Sequence, residues 1–101
     1  MDLGATFSAL AEPMRRGVVE LLRGGPRRAG EIADELGQSR PAMSRHLRVL
    51  KRAGVVTDEG VEADARVRIY RLAPTALEPV RGWLAATSRS IRSSAMGVRS
   101  S

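Results

Sequence analysis

From Arg40 to Arg52 the sequence sets basic and hydroxyl-bearing side chains at helical spacing: Arg40, Ser44, Arg45, Arg48, Lys51 and Arg52. No acidic residue falls between Ser39 and Arg52, so nothing in the stretch neutralises them. An arginine guanidinium is a planar fork of donors that matches two phosphate oxygens, or the O6 and N7 acceptors of guanine. Serine and glutamine bond to bases or phosphates. The chemistry open to this set is non-covalent binding of a polyanion. Covalent chemistry lacks its parts: one histidine, no cysteine and no glycine-rich phosphate loop leave no nucleophile–base pair. Ser44 and His46 are two residues apart and face different ways on a helix. We therefore expect no enzyme and no cofactor. Without cysteine there is neither a disulfide nor a thiolate ligand. Glu31, Asp34 and Glu35 stand at i, i+3, i+4 and read as a solvated helix face, and a lone His46 reads as a packed helix residue. No metal is expected.

Two short helices must position the basic set. Ala29, Ile32, Ala33 and Leu36 recur at i, i+3, i+4, i+7, an apolar stripe that predicts a first helix. Gly37 stops it, because glycine accepts the left-handed conformation of a helix end. Ser39 is a candidate N-cap for the second helix, and Pro41 sits in its first turn, where a missing N–H costs little. Met43, Leu47, Leu50 and Ala53 turn inward, and Gly54 ends the helix. Two helices joined by a tight glycine turn, the second basic, fit a DNA major groove.

The flanks complete a small domain. Asp2–Ala11 predicts a helix with Leu3, Phe7, Leu10 and Ala11 on one stripe, and Pro13 to about Arg23 a second with Met14, Val18, Leu21 and Leu22 inward. Arg15 and Arg16 oppose the dipole of that helix, so they are either solvated or held by a partner such as phosphate. Arg27 has the same two readings. Val55–Val56–Thr57 begins a strand, Asp58–Glu59–Gly60 turns the chain, and Ala65–Leu72 alternates as a strand. The pair is a hairpin whose tip runs from Gly60 to Asp64. Arg66 and Arg68 could straddle the adjacent minor groove or its phosphates; the acidic tip should splay away. Pro74 to about Arg92 predicts the last helix. Thr75 and Glu78 match a capping box, although Pro79 moves the start toward Leu77. Leu77, Val80, Trp83, Leu84, Thr87 and Ile91 form its apolar face.

The expected fold is mainly α with a β-hairpin wing: a winged helix-turn-helix of about five helices and two to three short strands. Residues 1–92 form a DNA-binding and dimerisation domain, and 93–101, rich in serine and arginine, a disordered tail. One hundred and one residues with three aromatics, Phe7, Tyr70 and Trp83, give a thin core. The faces of Leu3, Phe7 and Leu10 and of Leu77, Val80, Trp83 and Leu84 are therefore candidates for a dimer contact. A net charge of +6 calls for a polyanion, most often nucleic acid. No run is long enough to span a membrane, and the N-terminus lacks a charged-then-apolar signal; a cytoplasmic protein is expected.

The PMRRGVVELL segment, the AGEIADELGQSRPAMSRHLRVLKRAGVV core and the RVRIYRL strand together resemble the bacterial ArsR/SmtB family of winged-helix repressors. SRHLRVLKRAGVV is the most specific part. The resemblance implies a homodimer built from the first and last helices that binds a palindromic operator, usually its own promoter, and releases it to an effector. It places the DNA contacts on Gln38, Ser39, Arg40, Ser44, Arg45 and Arg48, with wing Arg66 and Arg68. The best-known members sense metals through cysteines in the helix matching Glu31–Leu36, or through histidine and carboxylate pairs in the last helix. Here the first site reads EIADEL, and the last helix has no histidine and one carboxylate, Glu78. The chain therefore resembles a non-metal branch with an unread effector. The alternative function is a winged helix whose basic face meets an acidic protein. A MarR-type repressor would need longer dimerisation helices.

Overall fold

Each apolar stripe folds as a helix, and the β-branched runs pair into a sheet. A computed structural model describes residues 3–61 and 64–99, with side chains for 3–61 and 66–89. The order is α1 (Leu3–Leu10), α2 (Pro13–Leu22), β1 (Arg27–Arg28), α3 (Ala29–Glu35), α4 (Arg40–Arg52), β2 (Val56–Val61), β3 (Asp64–Leu72) and α5 (Glu78–Arg99). The sheet is antiparallel with β3 in the middle, in the order β1-β3-β2.

The core is small and aliphatic. Val18, Ile32, Met43, Leu47, Leu50, Val55 and Val56 are fully buried, drawn from α2, α3, α4, β2 and the link between the last two. Tyr70 and Leu72 lean on it from β3.

Both helix ends around α4 are closed by the same device. After α3, the Gln38 N–H donates to the Ala33 carbonyl at 2.9 Å and the Gly37 N–H to Asp34 at 3.3 Å, with Gly37 at φ 64°. After α4, Val55 donates to Leu50 at 2.9 Å and Gly54 to Lys51 at 3.0 Å, with Gly54 at φ 77°. Each is a paired bond that satisfies helix carbonyls through a left-handed glycine. Ser39 opens α4 as expected, its Oγ accepting from the Ala42 N–H at 3.2 Å.

Several expectations need correction. β2 does not turn at Asp58–Gly60: it pairs Asp58 with Tyr70, Glu59 with Ile69 and Gly60 with Arg68, and its register slips only between Gly60 and Val61. Charge explains this, because arginines of β3 stand diagonally across from the two carboxylates and hold them in the sheet. The hairpin tip around Glu62, and the Asp64 side chain, lie outside the described residues. The third strand is β1, where Arg27 pairs with Tyr70 and Arg28 with Ile69. On α1 Thr6 and Ala9 are buried and Leu10 packs half-buried against the core, while Phe7 is exposed. Arg15, half-buried, and Arg16, exposed, have partners within the chain that the sequence did not suggest. Arg15 Nε donates to the Ala9 carbonyl at 2.6 Å, and Arg16 Nη1 to Leu10 and Ala11 at 2.7 and 3.0 Å. They cap the negative end of α1, whose carbonyls have no helical partner.

α5 starts at Glu78, one residue after the Leu77 start that Pro79 points to, so Thr75 lies in a turn ahead of the helix. The Glu78 N–H donates to the Thr75 carbonyl in a turn, and its carboxylate turns to Arg81 at 2.5 and 3.1 Å. The backbone is helical through Arg99, past residue 93, where we expected a tail. No proline follows Pro79 to end the helix, and arginine, alanine and methionine favour continuing it. The Ile91 side chain and residues 100–101 lie outside the described residues.

Two glycines give opposite expectations. Gly37→Ala forces a side chain into positive φ and should cost about 1 kcal/mol. Gly82→Ala, in α5 with open space around it, should gain roughly 0.8 kcal/mol. Urea midpoints at one fixed protein concentration check both.

Candidate nucleic-acid interface

Arg40, Ser44, Arg45 and Arg48 are all exposed on α4, opposite buried Met43, Leu47 and Leu50. The 13-residue helix thus shows one apolar face inward and one basic face outward. Gln38 and Ser39 lie in the turn that leads into it. Gln38 is half-buried, with Nε2 3.4 Å from the Gly37 carbonyl. Ser39 Oγ is committed as an acceptor, so its hydroxyl proton remains to donate. The Ala42 N–H is thereby satisfied, and the Gln38 N–H is satisfied separately by the Ala33 carbonyl.

The wing closes on this helix from the side. A cleft of about 460 Å³ lies between the start of α3, the start of α4 and β3. Arg28, Arg40, Ser44, Arg66 and Arg68 line it, with Glu31 and Asp34. The structure therefore brings four of the expected contacts together: Arg40, Ser44, Arg66 and Arg68. Arg45 and Arg48 share the helix but do not line the cleft. Arg40 packs close over Gly30, where a Cβ would stand 3.3 Å from Arg40 Nη2.

Arg28 was missed. Its signal was the basic pair before α3, of which Arg27 drew the attention. Arg27 is half-buried, and its Nε is enclosed without a hydrogen-bond partner. Strand pairing decides between the two, because opposite faces of β1 present one arginine inward and the next outward. A strand of two residues carries no periodicity to reveal this.

Arg68 differs from Arg66 in its surroundings. Its Nε donates to Asp58 Oδ2 at 2.9 Å, while Lys51 Nζ, from the last turn of α4, meets Oδ1 at 2.7 Å. The Asp58 side chain is 6% exposed. Burial pushes its carboxyl up, but hydrogen bonds and charge from Lys51 and Arg68 outweigh this and hold it below its ordinary value of 3.8. Burial first, and then the charge of Asp58, push the Tyr70 hydroxyl up. On the other face of the hairpin Arg71 pairs with Glu59.

Phe7 and Trp83 meet edge to face, with ring centroids 5.4 Å apart and an interplanar angle of 86°. They join α1 to α5 in a patch that also exposes Leu77 and Leu84; Leu3, Leu10 and Val80 are half-buried. Among the described residues no group of three or more histidine, cysteine or acidic side chains could hold a metal, and no helix is long and apolar enough to cross a membrane.

Helices, hairpin and basic face together define a winged helix-turn-helix protein of the DNA-binding class. A helix-turn-helix domain model matches residues 10–59. The HTH-type transcriptional regulator Rv2034 of Mycobacterium tuberculosis is 48% identical over 74% of this chain and 67% of its own length. The transcriptional repressor SdpR of Bacillus subtilis is 36% identical, over 77% of this chain and 83% of that protein. The crystal structure of the ArsR family transcriptional regulator RHA00566 superposes with a TM-score of 0.80 at 28% identity, covering 90% of this chain and 91% of the other. The homodimeric winged helix-turn-helix DNA-binding domain Mb0332 of Mycobacterium bovis, a possible ArsR-family regulator, gives a TM-score of 0.68 at 25% identity over 86% and 80%. This chain belongs to the ArsR/SmtB family of winged helix-turn-helix transcriptional regulators, a non-enzymatic family.

The Asp58 carboxylate has a definite pH signature. Its folded value is depressed, so its contribution is complete above the unfolded value of 3.8 and fades as pH falls through the lower folded one. The difference in thermal midpoint between the native chain and Asp58→Asn should hold steady from about pH 8 to about pH 5 and shrink below about pH 4.

Proposed function

We propose that this protein is a homodimeric, sequence-specific repressor that occupies a palindromic operator, its own promoter among its targets, and blocks transcription sterically in the cytoplasm. The observation that carries this reading is the exposed face of α4. It joins Arg40, Ser44, Arg45 and Arg48 without an intervening acid, on a helix capped by hydrogen bonds at both ends. An acidic protein partner would need only the charge; the mixture of hydroxyls and guanidinium forks suits base edges. α4 enters the major groove, with Ser44 and Arg45 reading bases and Gln38, Ser39, Arg40 and Arg48 sharing base and phosphate contacts. Arg66 serves the wing, and Arg28 adds a phosphate contact at the start of α3. Arg68 lines the same cleft as Arg66 but is engaged by Asp58.

The exposed Phe7, Leu77, Trp83 and Leu84, flanked by Leu3, Leu10 and Val80, form the subunit contact. A second copy covers them and sets two α4 helices about one DNA turn apart. The homodimeric mycobacterial neighbour supports this arrangement. The donor set speaks for an effector other than a metal.

Fluorescence anisotropy over a salt series is the test, on a duplex enriched by this protein from a random pool and on its scrambled counterpart. A dimer neutralising roughly ten phosphates should give a log–log slope of about −9, with a preference of about a thousandfold or more for the enriched duplex. Arg45→Ala should cost roughly 1–3 kcal/mol and relax base preference, whereas Arg66→Ala should weaken both duplexes alike. Equal affinity for both duplexes would remove the repressor reading. Trp83→Ala should move the sedimentation profile toward monomer; an unchanged profile would take α5 out of the interface.

A further inference from the structure

Asp58 is the one described carboxylate that two cations from two different elements grip at once. Its Oδ1 meets Lys51 Nζ at 2.7 Å, and its Oδ2 accepts from Arg68 Nε at 2.9 Å. Three elements meet at this group: the last turn of α4, strand β2 and strand β3. The carboxylate is almost enclosed, yet its cations stay open, Lys51 at 54% and Arg68 at 42%. The other described acid–base pairs are built differently. Glu20–Arg23 and Glu78–Arg81 are exposed pairs within one helix, and Glu59–Arg71 lies within the hairpin. None of these ties the wing to α4.

We propose that Asp58 is a positioning residue for DNA recognition, which braces the wing against α4 and withholds Lys51 and Arg68 from phosphate. The proposal rests on the DNA-binding reading above. Two physical consequences are opposed in sign. The brace fixes where β3 presents Arg66, and so favours the one duplex geometry that fits both helix and wing. The same carboxylate cancels one of two local positive charges, and so weakens attachment to any duplex. Asp58 therefore trades sequence-independent affinity for discrimination. An exposed pair would not do this, because water and salt screen it and its side chains are free to reorient. A nearly buried carboxylate keeps its hold on both cations, since releasing them leaves a charge without partners in a poorly hydrated site.

The experiment compares the full chain with Asp58→Asn, Lys51→Gln and the double variant. Each is titrated on the scrambled duplex and on the enriched duplex over a salt series. Asn keeps the size and an acceptor oxygen while removing the charge. Asp58→Asn should bind the scrambled duplex more tightly and lose part of its preference for the enriched one. Its salt slope should steepen by about 0.9 for each phosphate contact that a freed cation makes. Lys51→Gln alone should hardly change the slope. In the Asp58→Asn background it should remove about 0.9 per protomer, because there the ammonium reaches phosphate. Amide hydrogen exchange without DNA supplies a second readout: residues 64–72 should exchange faster in Asp58→Asn than in the native chain.

Loss of the full increment by Lys51→Gln in the native background would overturn the proposal, because Lys51 would then already be a phosphate contact. Weaker binding of Asp58→Asn to both duplexes would overturn it too, as would unchanged exchange in β3. If the native chain binds neither duplex, the DNA reading fails. Faster β3 exchange in Asp58→Asn would then uphold the brace alone, and unchanged exchange would remove both.

Discussion

The constraint on which the structure depends is the way α4 ends. Gly54 takes φ 77°, and within two residues the chain passes from helix to buried Val55 and Val56. An L-residue with a Cβ resists that conformation. Because the reversal is so short, β2 starts beside the helix it has just left. Asp58 then stands within ion-pair distance of Lys51, less than one turn from the helix end. A longer link would carry the wing away and leave Lys51 a solvated cation. Ser39 and Gly37 do the equivalent work at the other end. Helix, wing and turn are thus one body because of local bonds at α4's two ends, and the small aliphatic core beneath needs only to hold that body to α2.

Charge in this protein is divided by burial. Seventeen basic residues against eleven acidic ones would suggest a uniformly positive surface. The acids are not spread evenly. None lies on α4, while Asp58 and Glu59 occupy β2 and take up Arg68, Lys51 and Arg71. The exposed helix pairs, such as Glu20–Arg23, contribute on the order of a few tenths of a kcal/mol and position nothing distant. The pairing at Asp58 differs because the carboxylate has left water and its partners must compensate for that. The result is a helix with its guanidinium groups open and a wing with its charges largely committed, although both looked equally basic along the chain.

The helices and their stops were legible because their causes are local. The stripes of α3 and α4, the N-cap at Ser39 and the glycines at 37 and 54 are read from neighbours in sequence. What escaped depends on partners distant along the chain. β1 exists because Arg27 and Arg28 pair with Tyr70 and Ile69, some forty residues on. Asp58–Glu59–Gly60 has turn composition, yet cross-strand arginines hold it extended. Arg15 and Arg16 looked ill-placed within their own helix, and only the neighbouring helix end explains them. The exposed positions on α4 follow from periodicity alone. The separation of Arg28 from Arg27, and of Arg66 from Arg68, required the sheet.

The placement of the aromatics ties α1 to α5 outside the core. None of the fully buried side chains is aromatic, and Phe7 and Trp83 pack on each other outside the core. α1 therefore has two faces with separate tasks. Thr6 and Ala9 lie inward, while Phe7 stacks on α5. Arg15 and Arg16 close the end of α1 from α2, so α1 cannot slide without breaking bonds that satisfy otherwise unpaired carbonyls. Ala5, Ser8 and Ala9 also line a small cleft with Val49 and Arg52 of α4 and Ala53 just beyond it. α1 thus touches both the aromatic patch and the helix that carries the basic face. The packing of α1 and α5 and the placement of the basic helix are thereby linked within one chain.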